Sequence, residues 1–184
     1  MSRLDVHFSS ASIEWGTPDD VISLVRTQYP LVLDVCATPG RQKAPNYFAP
    51  PGADLSNAFG DTIRAVDGLI QDWAAWCRYL GGAAWMNPPF GRGVINRWVE
   101  KAALEADKGA CVIALLPVRS DTSWWHNFVE PVRLGEKPGE VIFWRGRMRF
   151  ADAAGKVGDA APFPVALVVF GSLEVNRQLS KGTK

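Results

Sequence analysis

At 184 residues, 47% hydrophobic and 21% charged, the chain is long enough to bury one core without staples and too short for several. A net charge of +1 excludes a protein that coats nucleic acid with its whole surface, and leaves room for a local basic face. Cys36, Cys77 and Cys111 are scattered and form neither a disulfide framework nor a metal-ligand pattern.

The start of the chain has no long apolar region, and no window approaches the roughly 20 apolar residues that span a bilayer. The reading is a single domain over residues 1–184, with a core from about 14 to 170 and frayed ends. It is expected to be soluble and cytoplasmic, with no membrane and no metal.

In chain order, Thr17-Pro18-Asp19-Asp20 opens a helix. Thr17 is its N-cap, Pro18 its first residue and the acids its first turn. Pro30 ends it near Tyr29. Leu31–Ala37, an apolar run with one acid, reads as a buried parallel strand. A loop-rich stretch follows from Thr38 to about Ala65. Val66–Leu80 is ambiguous, with a short helix around Asp72–Arg78.

Ala83–Met86 is a strand. Val94–Lys108 is a helix whose Ile95, Trp98, Val99, Ala102 and Ala106 share one face, closed by Gly109. Ala110–Leu116 is a central strand and Ser120–Val129 a short helix. Val141–Phe143 and Val165–Phe170 are late strands with no helical pattern between them, so they pair antiparallel. The expected fold class is α/β, a mostly parallel sheet with an antiparallel C-terminal hairpin. That is the class I methyltransferase, Rossmann-like architecture.

Asn87-Pro88-Pro89-Phe90 lies directly after the Ala83–Met86 strand. In an open α/β sheet, ligands bind beyond such strand ends. The Asn87 side-chain oxygen and the Pro88 carbonyl can accept both hydrogens of an exocyclic amino group. The prolines stiffen the turn, and Phe90 offers a face to a flat base. The other reading of the four residues is an ordinary Pro-Pro turn. Asp34-Val35-Cys36-Ala37-Thr38-Pro39-Gly40 is a strand followed by a small-residue turn that lets backbone approach a ligand. It lacks the Gly-x-Gly-x-x-Gly and Gly-Lys-Ser/Thr patterns, which argues against NAD and ATP. Asp34 suits a cationic amino-acid ligand, or equally the loop's own amides.

Arg145, Arg147 and Arg149 alternate, so in an extended segment they share a face. They contact phosphate there, or protect an edge strand. Arg92 and Arg119 follow two other strands. Trp85 and Trp98 read as core, Trp15 as a residue lining the site, and His126 as structural.

Taken in order, these segments resemble the phage-type DNA N6-adenine methyltransferases, the Dam-like group. The similar motifs are Glu14-Trp15-Gly16-Thr17-Pro18, Asp34–Pro39, and Lys43 with Tyr47-Phe48. Next come Asp67-Gly68-Leu69 with Trp73, Trp85–Gly91 and Trp98–Ala102. Leu116–Thr122 with Trp125-His126, Gly146–Phe150 and Pro162-Phe163-Pro164 complete the set. The chain departs from the family at Arg41, where Asn is usual, in an insertion around residues 53–65, and in Phe90 for the commoner Tyr.

The resemblance implies S-adenosylmethionine as methyl donor and adenine N6 in double-stranded DNA as acceptor, in a phage- or prophage-encoded protein. The implied catalytic residues are Asn87, Pro88, Pro89 and Phe90. Trp15, Thr17, Pro18, Asp34, Cys36, Ala37 and Asp67 would bind the cofactor, and Arg92, Arg119, Arg147 and Arg149 the DNA. The target base must leave the duplex stack. Rival readings are transfer to cytosine N4 or a protein glutamine, and a non-catalytic DNA-binding relative.

Overall fold

The computed structural model describes residues 15–56, 62–151 and 157–173. Glu14, both expected frayed ends and part of the 53–65 insertion lie outside these residues. Seven strands form one sheet: β1 (Leu31–Asp34), β2 (Asn46–Ala49), β3 (Thr62–Ala65), β4 (Ala83–Met86), β5 (Val112–Pro117), β6 (Gly139–Phe143) and β9 (Val165–Phe170). Their order is β3-β2-β1-β4-β5-β9-β6. All run parallel except β9, which pairs antiparallel with β5 on one side and β6 on the other. This is the class I methyltransferase architecture expected from the alternating elements.

Alternate residues of the central strands serve opposite layers, as the pleat dictates. On one face, Ala84 and Met86 of β4, Ala114 and Leu116 of β5, and Ala166 and Val168 of β9 join one core. That core is covered by α2 (Trp73–Leu80), α3 (Val94–Asp107) and the helical segment from Trp124 to Val132. On the other face, Trp85, Ile113, Leu115 and Leu167 pack with α1 (Asp19–Arg26), Met148 and Phe150. With both faces covered, β4, β5 and β9 are buried throughout, which is why they read as unbroken apolar runs.

Helix α3 spans almost the segment its periodicity predicts, with Ile95, Trp98, Val99 and Ala102 buried. Glu105 on the same helix is also fully buried. Its carboxylate accepts the Ala74 amide at the start of α2 (2.8 Å) and the ammonium groups of Lys101 (2.7 Å) and Lys108 (2.8 Å). It thus supplies an acceptor to one of the free amides every helix start leaves.

Several expectations are corrected. The stretch from Thr38 to Ala65 is not all loop, because β2 and β3 add the sheet's outer edge there. Strand β1 stops at Asp34 and turns at Val35-Cys36, short of Ala37. Helix α1 ends at Arg26, short of Tyr29, and Thr17 does not cap it. The cap position is Pro18, and no side chain among the described residues bonds there.

The Ser120–Val129 helix is a π-helical turn, Trp125–Val129, running into α4 (Glu130–Arg133). Arginines 145, 147 and 149 do not share a strand. Strand β6 ends at Phe143, the chain turns through Gly146 at φ 82°, and β7 (Arg149–Ala151) begins a separate two-stranded ribbon with β8 (Val157–Ala160). That ribbon lies in sequence between the paired late strands β6 and β9. Among the described residues, no helix is long and apolar enough to cross a membrane.

Candidate active site

The chain leaves β1 toward β2 on one side of the sheet and later returns to β4 on the other, so β1 and β4 are neighbours. At such a switch point the loops diverge and leave a crevice beyond the strands' carboxyl ends. A cleft of about 1250 Å³ lies there. Asp34 closes β1 and Asn87 follows β4, and Asp34 is in register with Trp85. The cleft is lined by Trp15, Thr17, Pro18, Asp34, Cys36, Ala37 and Asp67, and by Asn87, Pro88 and Pro89.

Asn87 is held by two acceptors. Its Nδ2 donates to the Trp15 carbonyl and to Thr17 Oγ1 (3.0 Å). A carbonyl can only accept, so the nitrogen end of the amide must face Trp15. The oxygen end, Oδ1, is then buried with no hydrogen-bond partner among the described residues. A buried acceptor left open costs stability, and native proteins keep few of them. An open acceptor on a cleft residue, directly after a strand end, is therefore a chemical resource.

Asp34 is buried beneath the same cleft. Its Oδ1 accepts the Cys36 amide (3.2 Å) and its Oδ2 the Lys43 amide (2.9 Å). Burial pushes its carboxyl up to about 6 against the opposing pull of those amides and of the Lys43 charge. The amide-holding alternative for Asp34 is thus realised. Lys43 itself donates to Asp19 (2.7 Å), tying this loop to α1.

Asp67 caps the short 3-10 turn Gly68–Ile70 by accepting the Leu69 amide (2.9 Å). Only glycine fits next to it, since a Cβ on Gly68 would lie 2.1 Å from the Val35 carbonyl oxygen. Trp73 Nε1 donates to the Gly68 carbonyl (2.7 Å), fixing the turn from below.

Phe90 is half-buried and does not line the cleft. Its ring meets Phe150 and Phe163 edge-on at 6.1 and 5.8 Å. Trp15 meets the same two rings, each at 5.3 Å. These four aromatics join the Asn87 turn, the segment before α1, β7 and the segment before β9. Phe150 and Phe163 were not singled out from sequence as site residues, although both lie in the closing segments that carried the family resemblance.

Arg147 and Arg149 are exposed and line the cleft; Arg92 and Arg119 are exposed and do not. All four follow the carboxyl ends of parallel strands, on the cleft's side of the sheet. Trp98, read as core, is buried and also reaches the cleft wall. Burial pushes the thiols of Cys77 and Cys111 up to about 12, which leaves them inert as nucleophiles. Among the described residues, no group of three or more His, Cys, Asp or Glu converges as a metal site would require.

A family model described as DNA N-6-adenine-methyltransferase (Dam) matches residues 9–181. Among solved structures, similarity extends to the precorrin 8w decarboxylase that is the product of gene MT0146 of Methanobacterium thermoautotrophicum. It covers 85% of this chain and 91% of that one, at 18% identity and a TM-score of 0.44. No curated protein matches.

Proposed function

The chain belongs to the DNA N-6-adenine-methyltransferase (Dam) family, and from that premise we propose that it transfers a methyl group from S-adenosylmethionine to the N6 amino group of adenine in double-stranded DNA. The observation that carries this reading is the Asn87 amide, anchored through its nitrogen and left with a buried, unused oxygen. Adenine N6 carries two hydrogens and needs two acceptors. Asn87 Oδ1 is one, and the Pro88 carbonyl on the same stiff turn is the other.

Accepting both hydrogens aims the nitrogen lone pair out of conjugation with the ring. S-adenosylmethionine, when bound, supplies an electrophilic methyl group. The protein's part is positioning and a fixed electrostatic environment. No strong base is required, because the nitrogen becomes acidic only as it is methylated. Phe90 stacks the target base in this reading and must turn a face toward it to do so.

The cleft suits the cofactor on three counts. Its volume holds an elongated ligand with room beside Asn87. Gly68 lets backbone close on the pocket wall. Asp34 and Asp67 are two of the four aspartates that line it, beside Asp19 and Asp20. Asp34 would serve the cationic amino-acid end and Asp67 the adenine end, with Trp15, Thr17, Pro18, Cys36 and Ala37 forming the walls. Arg147 and Arg149 at the cleft, with Arg92 and Arg119 beyond it, would meet the duplex as its target base flips out. We place this work in the bacterial cytoplasm, in a phage or prophage product, on the resemblance of its motifs.

The test is to incubate the protein with labelled cofactor and duplexes of varied sequence, then identify the modified base by mass spectrometry. N6-methyladenine is expected. In Asn87→Ala its formation should fall by about 10²–10³-fold, as when a transition-state hydrogen bond is removed, while calorimetric cofactor binding stays. Label on cytosine N4 or on protein would refute the adenine reading.

A further inference from the structure

Thr17 opens a run of helix-start residues, yet its hydroxyl is not used by the helix. It is only 3% exposed and accepts Asn87 Nδ2 across 70 positions of sequence. Building on the reading of Asn87 above, we infer that Thr17 is a positioning residue: with the Trp15 carbonyl, its hydroxyl fixes the plane of the Asn87 amide and so reserves Oδ1 for the target amino group.

The argument is one of torsions. The last side-chain torsion of asparagine is broad, so a single anchor holds the nitrogen without fixing the plane of the group. Two acceptors, one for each N–H, fix it. Both acceptors come from one three-residue segment, and that segment is itself held on several sides. Gly16 exchanges two backbone hydrogen bonds with Ala151 of β7, at 3.1 and 2.9 Å. No side chain fits between them, since a Cβ on Gly16 would lie 2.7 Å from the Ala151 carbonyl oxygen.

The Trp15 ring is packed edge-on against Phe150 and Phe163. Pro18 restricts Thr17 to extended backbone, which keeps it out of the helix. The hydroxyl is therefore presented to Asn87 by a frame that does not move with it. This is the support a catalytic group needs to stay within reach of its target.

The alternative is that Thr17 merely satisfies a buried donor, or touches the cofactor as cleft position and motif both suggest. Thr17→Val keeps the shape and removes the acceptor; Thr17→Ser keeps the hydroxyl. The Asn87 side-chain amide signals are observed by nitrogen-15 NMR, assigned by their loss in Asn87→Ala. Turnover on DNA and calorimetric affinity for S-adenosylmethionine are measured alongside.

In the wild type both amide protons should exchange slowly with solvent. In Thr17→Val one should lose its protection, and kcat should fall about 10- to 100-fold with cofactor affinity and the KM for DNA unchanged. Thr17→Ser should restore both readouts. Thr17→Ala repeats the measurement if the added methyl of valine disturbs the fold.

Unaltered amide signals in Thr17→Val would overturn the inference. So would altered signals at wild-type kcat, or lost cofactor affinity at wild-type kcat, which would make Thr17 a cofactor ligand. If the wild type methylates no DNA, the functional reading fails separately, and the amide signals alone decide whether Thr17 holds Asn87.

Discussion

Glu105 gives the sharpest stability test, because its side chain has no access to water and its partners among the described residues are named. Truncation in Glu105→Ala leaves the buried Ala74 amide without an acceptor, at about 2 kcal/mol. Lys101, partly exposed and lying over the Trp73 ring at 5.6 Å, loses its counter-charge and adds about 1 kcal/mol. Lys108 is half-exposed and returns to water. The total is about 3 kcal/mol, or a fall of about 6–12 °C in Tm for a chain of this length.

Glu105→Gln keeps an oxygen for the Ala74 amide and should cost about half as much. Burial pulls the Glu105 carboxyl up, but the bonds from Lys101, Lys108 and Ala74 hold it below its ordinary 4.5. Its contribution is therefore present above pH 4.5 and lost as pH falls through the lower folded value. Asp34 acts in the opposite sense. Between 3.8 and about 6 the folded chain binds its proton more readily than the unfolded one, so this group removes stability as pH rises through that window. Urea unfolding across pH, with Glu105→Gln and Asp34→Asn as controls, separates the two. A loss below about 1 kcal/mol in Glu105→Ala would refute the accounting.

Two further outcomes bear on the cleft. Asp34→Ala and Asp67→Ala should each weaken S-adenosylmethionine binding by calorimetry, and wild-type affinity in both would displace the cofactor from these residues. Loss of a phosphate-contacting arginine should weaken DNA binding alike on every sequence and lower its salt dependence by about one counterion. Loss of a base-reading one should relax preference at a single position, at a cost of about 1–3 kcal/mol. Arg147→Ala and Arg149→Ala are expected to show one of these patterns, and an unchanged affinity, salt slope and preference in both would move the DNA surface elsewhere.

What was legible in the sequence follows from what each element buries. Helix α3 was readable from its periodicity, and strands β4, β5 and β9 from unbroken apolar runs that suit burial on both faces. Strands β2 and β3 were not. Each is short and mixes polar with apolar residues, and the Asn46 side chain of β2 is buried with its amide donating to the Val32 carbonyl (3.0 Å).

Thr17 looked like a helix cap because Pro18-Asp19-Asp20 follows it, and only tertiary structure reveals Asn87 as its partner. The arginines alternate from 145 to 149, but Gly146 takes a positive φ and turns the chain there. Most residues singled out at strand ends and in ordered motifs line the cleft, while Phe90, Arg92 and Arg119 do not. The role of Glu105 was not, since helical spacing alone gives no reason to bury an acid.

The position of β9 also bears on how the protein is made. This strand comes last in the described chain yet lies inside the sheet, between β5 and β6. Until residues 165–170 leave the ribosome, β5 presents an open apolar edge whose contacts are all long-range. Such pairing is slow and exposes the chain to aggregation while it waits. A nascent chain stalled before β9 would hold the β1 and β4 ends that frame the cleft while lacking the strand that joins β6 to the other five. Synthesis rate and chaperone supply while β9 is still to emerge should then affect the yield of folded protein.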